Sequence, residues 1–123
     1  MQFAIYANIS GIKIVFRIVV HSDVRDELLA LPPVVQAKMI GKIEKLRHNP
    51  TALREPDSKP LSHGLFEIRT LGAIHCRGIY VFQREETIFL LRVFIKKTVR
   101  TPQAEISLAL KRLQEMRDEQ ENN

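Results

Sequence analysis

The sequence predicts an α+β fold, in which an antiparallel β-sheet packs against an N-terminal helical hairpin and a C-terminal helix, in the order β-α-α-β-β-β-α. Two helical patterns meet at Pro32-Pro33, and three strand patterns with short turns follow. A last helical pattern begins after Thr101-Pro102. Since the 123 residues contain no linker or internal repeat, we interpret residues 1–123 as one domain, with an extension at 1–11 and a frayed tail at 118–123.

The first strand and the helical hairpin are predicted from composition and spacing. Residues 12–20 are rich in β-branched side chains, which favour a strand. Ser22 is expected to cap a short first helix. Pro33 begins the second helix, because proline is tolerated in a first turn but not in a helix interior, and this helix runs to about His48. Its apolar residues recur at spacings of three and four: Val35, Met39, Ile43 and Leu46.

Three successive strands are predicted to form the rest of the sheet. Three prolines and several small polar residues indicate a loop over residues 49–64. The strands follow at residues 65–70, 74–82 and 87–95. Alternation places Phe66 and Ile68 on one face of the first strand, and Glu67 and Arg69 on the other. The two later strands are apolar at nearly every position, so we expect helices or a partner to cover both of their faces.

The last helix is predicted to begin at Pro102, with Thr101 as its cap. Ile106, Leu110 and Leu113 then form an apolar stripe along it. The sequence beyond this stripe is polar, which is typical of a terminus that frays.

Charge and cysteine content limit the partners and the compartment. The chain carries 19 Lys and Arg against 14 Asp and Glu, a formal net charge of +5, and its pI is about 9.7. This excess favours an anionic partner such as nucleic acid, an acidic protein or a membrane surface. Cys76 is the single cysteine, so an intrachain disulfide is impossible and a reducing cytoplasm is expected.

Several other chemistries are poorly supported by the sequence. No apolar run approaches the roughly 18 residues that a membrane span needs, so no membrane partner is expected. One cysteine and four scattered histidines give no metal-ligand spacing, so no metal site is expected. A Gly-rich phosphate loop, a Ser-His-Asp order and an HExxH motif are all absent, which argues against hydride, nucleotide and metal-hydrolase chemistry, and no cofactor is expected.

Four cations are candidates for a shared anion site. Arg69 and Arg77 lie on adjacent predicted strands, where residues at matching positions come within side-chain reach. Lys96 and Lys97 end the next strand, so neighbouring strands would gather both arginines and at least one lysine. The cations of such a cluster repel one another unless a bound anion or an acidic side chain neutralises part of their charge. The alternative is a set of separate solvated charges, paired with Glu67, Glu85 or Glu86.

Other polar residues could extend or serve such a phosphate-binding surface. Arg54 and Lys59 lie in the predicted loop, and Arg100 precedes the last helix. One face of the second helix carries a further row: Lys38, Lys42 and Lys45. A solvated helix face is the other interpretation of this row. His75 could act as an acid or base, although a turn histidine without such a role is commoner. Tyr80 is expected in the core, with a hydroxyl that could reach the cluster.

An ordered set of short motifs runs through the chain. Its pieces are Pro33 with Gln36-Ala37-Lys38, then Leu65-Phe66-Glu67-Ile68-Arg69, then Arg77 with Tyr80 and Phe82, then Leu90-Leu91-Arg92-Val93-Phe94-Ile95-Lys96-Lys97-Thr98, then Thr101-Pro102 with Glu105-Ile106 and Ala109. This set resembles the RelE/ParE toxin superfamily of bacterial toxin–antitoxin modules, and within it the HigB-like, phage-derived toxins. The resemblance covers about residues 12–117, and the ordered set is more specific than any piece alone.

The resemblance implies a compact antiparallel sheet with a helical hairpin, and an mRNA interferase that cleaves codons in the ribosomal A site without a metal. In such toxins the RNA 2′-hydroxyl attacks the adjacent phosphate, giving a cyclic phosphate and a free 5′-hydroxyl. By that pattern Arg69 and Arg77, with Lys96 or Lys97, would hold the scissile phosphate. The implied partners are the ribosome, mRNA and a cognate antitoxin of the helix-turn-helix type, through which alone the toxin would reach operator DNA.

Two departures from the family pattern leave alternatives open. Cys76 and Gly78 flank Arg77, where relatives have an aromatic and a bulky apolar residue. No Tyr or His follows Lys97, so the proton-transfer group is unassigned among a lysine with a lowered pKa, Glu67 and His75. Two other functions fit the same fold: a ParE-like inhibitor of DNA gyrase, and a catalytically inactive binding module of a toxin–antitoxin repressor complex.

Overall fold

The computed structural model describes the backbone of residues 4–8, 11–50 and 57–122, and side chains from Val15 onward within those ranges. Its elements, in chain order, are β1 Ala4–Asn8, β2 Gly11–Val15, β3 Arg17–Val20, α1 Ser22–Leu29, α2 Pro33–His48, β4 Ser58–Pro60, β5 Phe66–Arg69, β6 Cys76–Gln83, β7 Thr87–Ile95 and α3 Gln103–Glu121.

The main sheet has five strands in the order β3-β7-β6-β5-β4. The pairs β4–β5, β5–β6 and β6–β7 are antiparallel, whereas β3 runs parallel to β7. The predicted α+β class and the meander of the three later strands are confirmed. Outside this sheet, β1 and β2 pair with each other as a separate antiparallel hairpin.

Two predictions of local structure are wrong. The segment 12–20 is not one strand. It is interrupted at Phe16, because β2 pairs with β1 whereas β3 pairs with β7. The Phe16 N–H donates to the Arg47 carbonyl at the end of α2, over 2.9 Å, instead of to a strand. The predicted loop 49–64 contains β4, whose Pro60 lies on an edge strand, where a missing N–H is tolerated.

The starts of α1 and α3 also differ from prediction, by one residue each. His21, not Ser22, caps α1, and its Nδ1 accepts a hydrogen bond from the Asp23 N–H over 3.1 Å. Pro102, not Thr101, is the residue before α3. Thr101 makes no cap hydrogen bond because its hydroxyl donates to Glu67 instead. The helix α3 continues to Glu121, through most of the segment expected to fray.

Helices cover both faces of the sheet, as the apolar character of the later strands predicts. On one face, core residues of α1 and α2 pack with β5, β6 and β7: Val24, Val35, Met39, Leu46, Ile68, Tyr80 and Leu90. On the other face, α3 packs on β6 and β7: Ile79, Phe89, Leu91, Ile106, Ala109 and Leu113. Each fully buried aliphatic side chain contributes about 1.5–3 kcal/mol to folding. Among the described residues, no helix is long and apolar enough to cross a bilayer.

A network of ion pairs ties α1 and α3 to β7. Glu27 of α1 accepts hydrogen bonds from the Arg92 guanidinium over 2.8 Å and from the Val93 N–H over 3.0 Å. Arg112 of α3 lies 2.7 Å from the same carboxylate and donates to the Leu91 carbonyl. Arg92 also forms a two-point pair with Glu105, over 2.9 and 3.1 Å. This network fixes α3 against the strand that carries Lys96 and Lys97 at its end.

Candidate active site

Arg69 and Arg77 come together because β5 and β6 are neighbours. The two residues are Cα partners in the antiparallel ladder. Ile68 belongs to the core on the α2 side, so its strand neighbours Glu67 and Arg69 point to the side on which α3 packs. Strand adjacency therefore assembles the arginine pair, as the sequence predicts.

A buried carboxylate lies between the two arginines. Glu67 is fully buried, and its Oε1 accepts a hydrogen bond from the Arg69 Nε over 3.1 Å. The Arg77 Nε lies 3.7 Å from the same oxygen. The other oxygen, Oε2, accepts a hydrogen bond from the Thr101 hydroxyl. Both oxygens of this carboxylate are thus engaged by groups of three separate elements of the chain.

Arg77 is unusually enclosed for an arginine, at 8 % exposed. Its Nη1 donates to the Cys76 carbonyl over 3.0 Å, whereas its buried Nε has no hydrogen-bond partner among the described residues. Burial lowers the pKa of Arg77, Glu67 opposes that change, and repulsion from Arg69 adds to it. The Arg77 Nη2 makes no hydrogen bond within the described residues, so the guanidinium can still bind an anion.

Lys96 is the second enclosed cation, at 9 % exposed. Its backbone N–H donates to the His75 carbonyl over 2.6 Å, which fixes the end of β7 beside the start of β6. Burial lowers the pKa of Lys96, Glu67 opposes the change, and repulsion from Arg77, Arg69 and Lys59 reinforces it. No hydrogen bond or ion pair found within the described residues involves its ammonium group.

These cations open onto a cleft of about 350 Å³ at the end of β7. Its walls are His75, Arg77, Lys96, Lys97, Thr98 and Val99, and the predicted site residue Arg69 is not among them. Lys97 is exposed at its mouth. Other clefts are as large or larger, such as one of about 460 Å³ around Arg17 and Arg84, but that one is lined by no buried cation. The cleft at Lys96 is suited to a phosphodiester, because buried cations interact more strongly with an anion than solvated ones do.

The other predicted RNA-binding residues are not among the described residues that line this cleft. Lys59 on β4 is the Cα partner of Glu67 and is near enough to lower the pKa of Lys96. Arg100 is exposed in the loop between β7 and α3. Arg54 lies outside the described residues. In the row on α2, Lys38 donates to the Leu71 carbonyl over 3.1 Å and Lys42 pairs with Asp57, so part of this row has internal partners.

Of the remaining candidates, His75 lies at the cleft, whereas Cys76 and Tyr80 are buried in the core. His75 is exposed and lines the cleft. Cys76 is buried, and burial raises the pKa of its thiol to about 11, so it is a core residue. Tyr80 is also buried, and its hydroxyl shares a 2.9 Å hydrogen bond with Ser58 rather than reaching the cluster. The contact of Thr101 with Glu67 has no signal in the sequence, since the two residues are 34 positions apart.

Comparison with known proteins identifies relatives of the chain. A family profile described as "Phage derived protein Gp49-like" matches residues 26–114. A mutant of the Escherichia coli toxin RelE in the free state has a TM-score of 0.61 at 16% identity, over 80% of this chain and 97% of that one. A chain of the toxin–antitoxin complex RelBE2 from Mycobacterium tuberculosis has a TM-score of 0.53 at 24% identity, over 67% of this chain and 99% of that one. These similarities show a RelE-like fold. No curated protein matches the sequence.

Proposed function

The chain belongs to the Gp49-like family of phage-derived proteins, and from that premise we propose that it is the toxin of a toxin–antitoxin module, a metal-independent endoribonuclease that cleaves mRNA on the ribosome. Two solved structures with the same fold are named as a toxin and as a toxin–antitoxin complex. The observation that carries the proposal is the pair of enclosed cations, Arg77 and Lys96, lining one open cleft.

The proposed reaction uses the RNA as its own nucleophile. The 2′-oxygen attacks the adjacent phosphorus, and the 5′-oxygen of the next nucleotide leaves, which gives a 2′,3′-cyclic phosphate and a 5′-hydroxyl. The five-coordinate phosphorane carries one more negative charge than the ground state. Arg69, Arg77, Lys96 and Lys97 would stabilise this added charge, which is a large catalytic effect where the donors are preorganised and partly dry.

Two proton transfers complete the reaction, since the 2′-hydroxyl must lose a proton and the leaving oxygen must gain one. We assign the base to Lys96, because its lowered pKa increases the fraction of neutral amine and its ammonium has no described partner. His75 and Lys97 line the same cleft and are the candidates for the acid. Glu67 is a poor base, because it is fully buried and does not line the cleft.

The partners follow from the same proposal. The cognate antitoxin, expected to be a helix-turn-helix protein, would neutralise the toxin and carry it to operator DNA. The ribosome would supply the mRNA in the geometry that the cleft needs. The net charge of +5 suits an RNA partner. For each phosphate that the protein neutralises on a single strand, the logarithm of the affinity should fall by about 0.7 per tenfold increase in salt concentration.

The experiment is inducible expression with and without the cognate antitoxin, followed by mapping of RNA ends. We expect growth arrest, relieved by the antitoxin, and cleavage of translated mRNA that leaves 5′-hydroxyl ends. Arg69→Ala and Arg77→Ala should both relieve toxicity without unfolding the protein. Full toxicity of both variants would disprove the site, and inhibition of gyrase supercoiling with intact mRNA would assign the chain to the ParE-like function. Normal growth without antitoxin would favour an inactive binding module.

A further inference from the structure

Glu67 is a fully buried acid in the middle of a site proposed to bind an anion. Burying a carboxylate is expensive unless it is paired and hydrogen-bonded, so its presence at this position needs an explanation. Three side chains meet its carboxylate: Arg69, Arg77 and Thr101. Each comes from a different element of the chain, namely β5, β6 and the segment before α3.

We propose that Glu67 is the positioning residue of the site, which fixes Arg69 and Arg77 in the orientation that receives the phosphate and, through Thr101, anchors the loop that carries Lys97. This inference rests on the proposed function and adds a role to that site. Glu67 acts through the arginines and does not itself contact the RNA.

The geometry of the guanidinium groups supports this role. The carboxylate is engaged on the Nε side of Arg69 at 3.1 Å and faces the Nε of Arg77 at 3.7 Å. Among the described contacts, both terminal nitrogens of Arg69 and one terminal nitrogen of Arg77 remain uncommitted. Terminal nitrogens are the ones that form two-point contacts with phosphate oxygens. The Glu67 carboxylate therefore holds Arg69 by a hydrogen bond and Arg77 by charge attraction alone, and leaves terminal nitrogens of both arginines available.

The charge of the cluster also fits this role. Arg69 and Arg77 would repel each other around an empty site, and the buried Glu67 carboxylate lowers this repulsion, which leaves a net charge of about +1 while Lys96 is a neutral base and about +2 once Lys96 has taken the proton of the 2′-hydroxyl. A phosphodiester has one negative charge and its phosphorane has two. The cluster is thus matched more closely to the transition state than to the substrate, which is the condition for acceleration rather than tight binding.

Burial separates this role from general base catalysis. A base must present an oxygen to the 2′-hydroxyl, whereas the Glu67 carboxylate is fully buried and is held by Arg69 and Thr101. The cleft walls include Arg77 and Lys96 but neither Glu67 nor Arg69, so Arg69 would contact the phosphate from outside these walls.

The first experiment compares Glu67→Gln with Glu44→Gln, a matched control on α2 that makes the same change in net charge at an exposed ion pair with Arg47. Single-turnover cleavage on programmed ribosomes and binding of an uncleavable 2′-deoxy oligonucleotide are measured for both. For Glu67→Gln we expect the cleavage rate to fall about a hundredfold, the effect of a small misplacement of catalytic groups. Its oligonucleotide affinity should stay the same or rise. Its pH–rate profile should keep both limbs, with the low-pH limb moved to lower pH because Glu67 no longer opposes the lowering of the Lys96 pKa.

Three outcomes of this experiment would overturn the proposal. An unchanged rate would mean that the arginines need no buried acid. Loss of the low-pH limb of the rate profile would make Glu67 a base. A parallel loss of rate, affinity and melting temperature would make it a structural residue only. Glu44→Gln should leave all these quantities unchanged.

A second measurement does not depend on cleavage, so failure of the proposed function and failure of this inference can be told apart. The Nε–H signals of Arg69 and Arg77 in ¹⁵N-resolved NMR spectra report the environment of each guanidinium, and Arg69→Lys and Arg77→Lys assign them. We expect Glu67→Gln to shift both signals and to speed solvent exchange of the Arg69 signal, while Thr101→Val has a smaller effect. If the wild-type chain cleaves no RNA, the proposed function falls, and the NMR result still decides the positioning role: unmoved signals would reject it.

Discussion

Arg69 and Arg77 face each other as Cα partners across the β5–β6 pair, with the buried carboxylate of Glu67 between their side chains. Like charges placed directly opposite on a sheet are destabilising, so this arrangement lowers the stability of the fold unless something compensates. Glu67 compensates in part, and the cleft beside Arg77 leaves space for an anion to do the rest. The loss of stability would be explained by the proposed binding of a phosphate, and the following expectations test that proposal.

Arg77→Lys should lose most of the cleavage activity although it keeps the positive charge. A lysine cannot reproduce the planar guanidinium, which faces Glu67 and also lines the cleft where the phosphate is proposed to bind. We expect a fall of about a hundredfold or more in the single-turnover rate, as for the loss of one preorganised donor. The matched control is Arg84→Lys in the exposed turn after β6. Equal activity of the two variants would show that charge alone suffices at Arg77.

Lys96→Met should stabilise the fold and abolish cleavage. Burial lowers the pKa of Lys96, which means that the folded state disfavours the charged form that the unfolded chain carries up to its ordinary value of 10.5. The variant removes that penalty, so its free energy of unfolding should exceed that of the wild type at neutral pH by about 1 kcal/mol, within the ordinary range for single substitutions.

The pH dependence of this difference gives a sharper check by denaturant titration. The gain from Lys96→Met should be complete at neutral pH and should disappear as the pH rises towards and beyond 10.5, where the lysine is neutral in both states. A variant that is less stable than the wild type at neutral pH would show that the attraction to Glu67 outweighs burial and the repulsion from Arg69 and Arg77.

Much of the fold was predictable because its periodic segments are long. Pro33 and the spacing of apolar residues after it predicted α2 from Pro33 to about His48, a nearly continuous apolar run predicted the last strand at 87–95, and both agree with the structure. The break at Phe16 was not predictable, because residues 12–20 are uniformly suited to a strand and their pairing partners decide where the strand ends. The short strand β4 was missed for the same reason, since it exists only through its pairing with β5.

The sequence predicted which cations lie together in the candidate site, but it did not predict the contacts of their side chains. Strand adjacency brings Arg69 to Arg77, and the order of strands brings Lys96 near them. The enclosure of Glu67 and its contact with Thr101 depend on tertiary packing, which local patterns do not encode. Gly78 illustrates the same limit: a Cβ there would lie 3.1 Å from the Ile68 side chain, so this departure from the family pattern makes room for packing beneath the arginine.

Tyr80→Phe should cost stability and leave cleavage intact. The Tyr80 hydroxyl shares a buried hydrogen bond with Ser58, on the core side of the sheet rather than in the cleft. Its removal leaves the buried Ser58 hydroxyl without that partner, which we expect to lower the free energy of unfolding by about 1–2 kcal/mol. Denaturant titration and cleavage assays would check this, and a Tyr80→Phe variant of normal stability but low activity would make the tyrosine a proton donor.

Glu27→Gln should lower the free energy of unfolding at neutral pH and make that free energy less dependent on acid pH. It should leave the cleft at Lys96 unchanged. Burial alone raises the pKa of Glu27, but hydrogen bonds from Arg112, the Val93 N–H and Arg92 outweigh it, so the pKa lies below its ordinary value of 4.5. A carboxyl with a lowered pKa stabilises the folded state above the unfolded value, and this contribution is lost as the pH falls through the folded value. At pH 7 the variant should lose about 3 kcal/mol, at the low end for breaking a buried pair, because Arg92 keeps its bonds to Glu105.

The dependence of stability on acid pH shows whether loss of the Glu27 carboxylate causes the lower stability of Glu27→Gln. The difference between wild type and Glu27→Gln should be full at pH 7 and should shrink below about 4.5, since the wild type then loses the same interaction by protonation. Glu119→Gln, an exposed change on α3, should differ from wild type by less than about 0.5 kcal/mol at every pH. Because the network holds α3 and β7 together rather than lining the cleft, cleavage by folded Glu27→Gln should match the wild type. A Glu27→Gln variant that stays folded but cleaves slowly would mean that α3 and β7 must be held together for the Lys96 cleft to form.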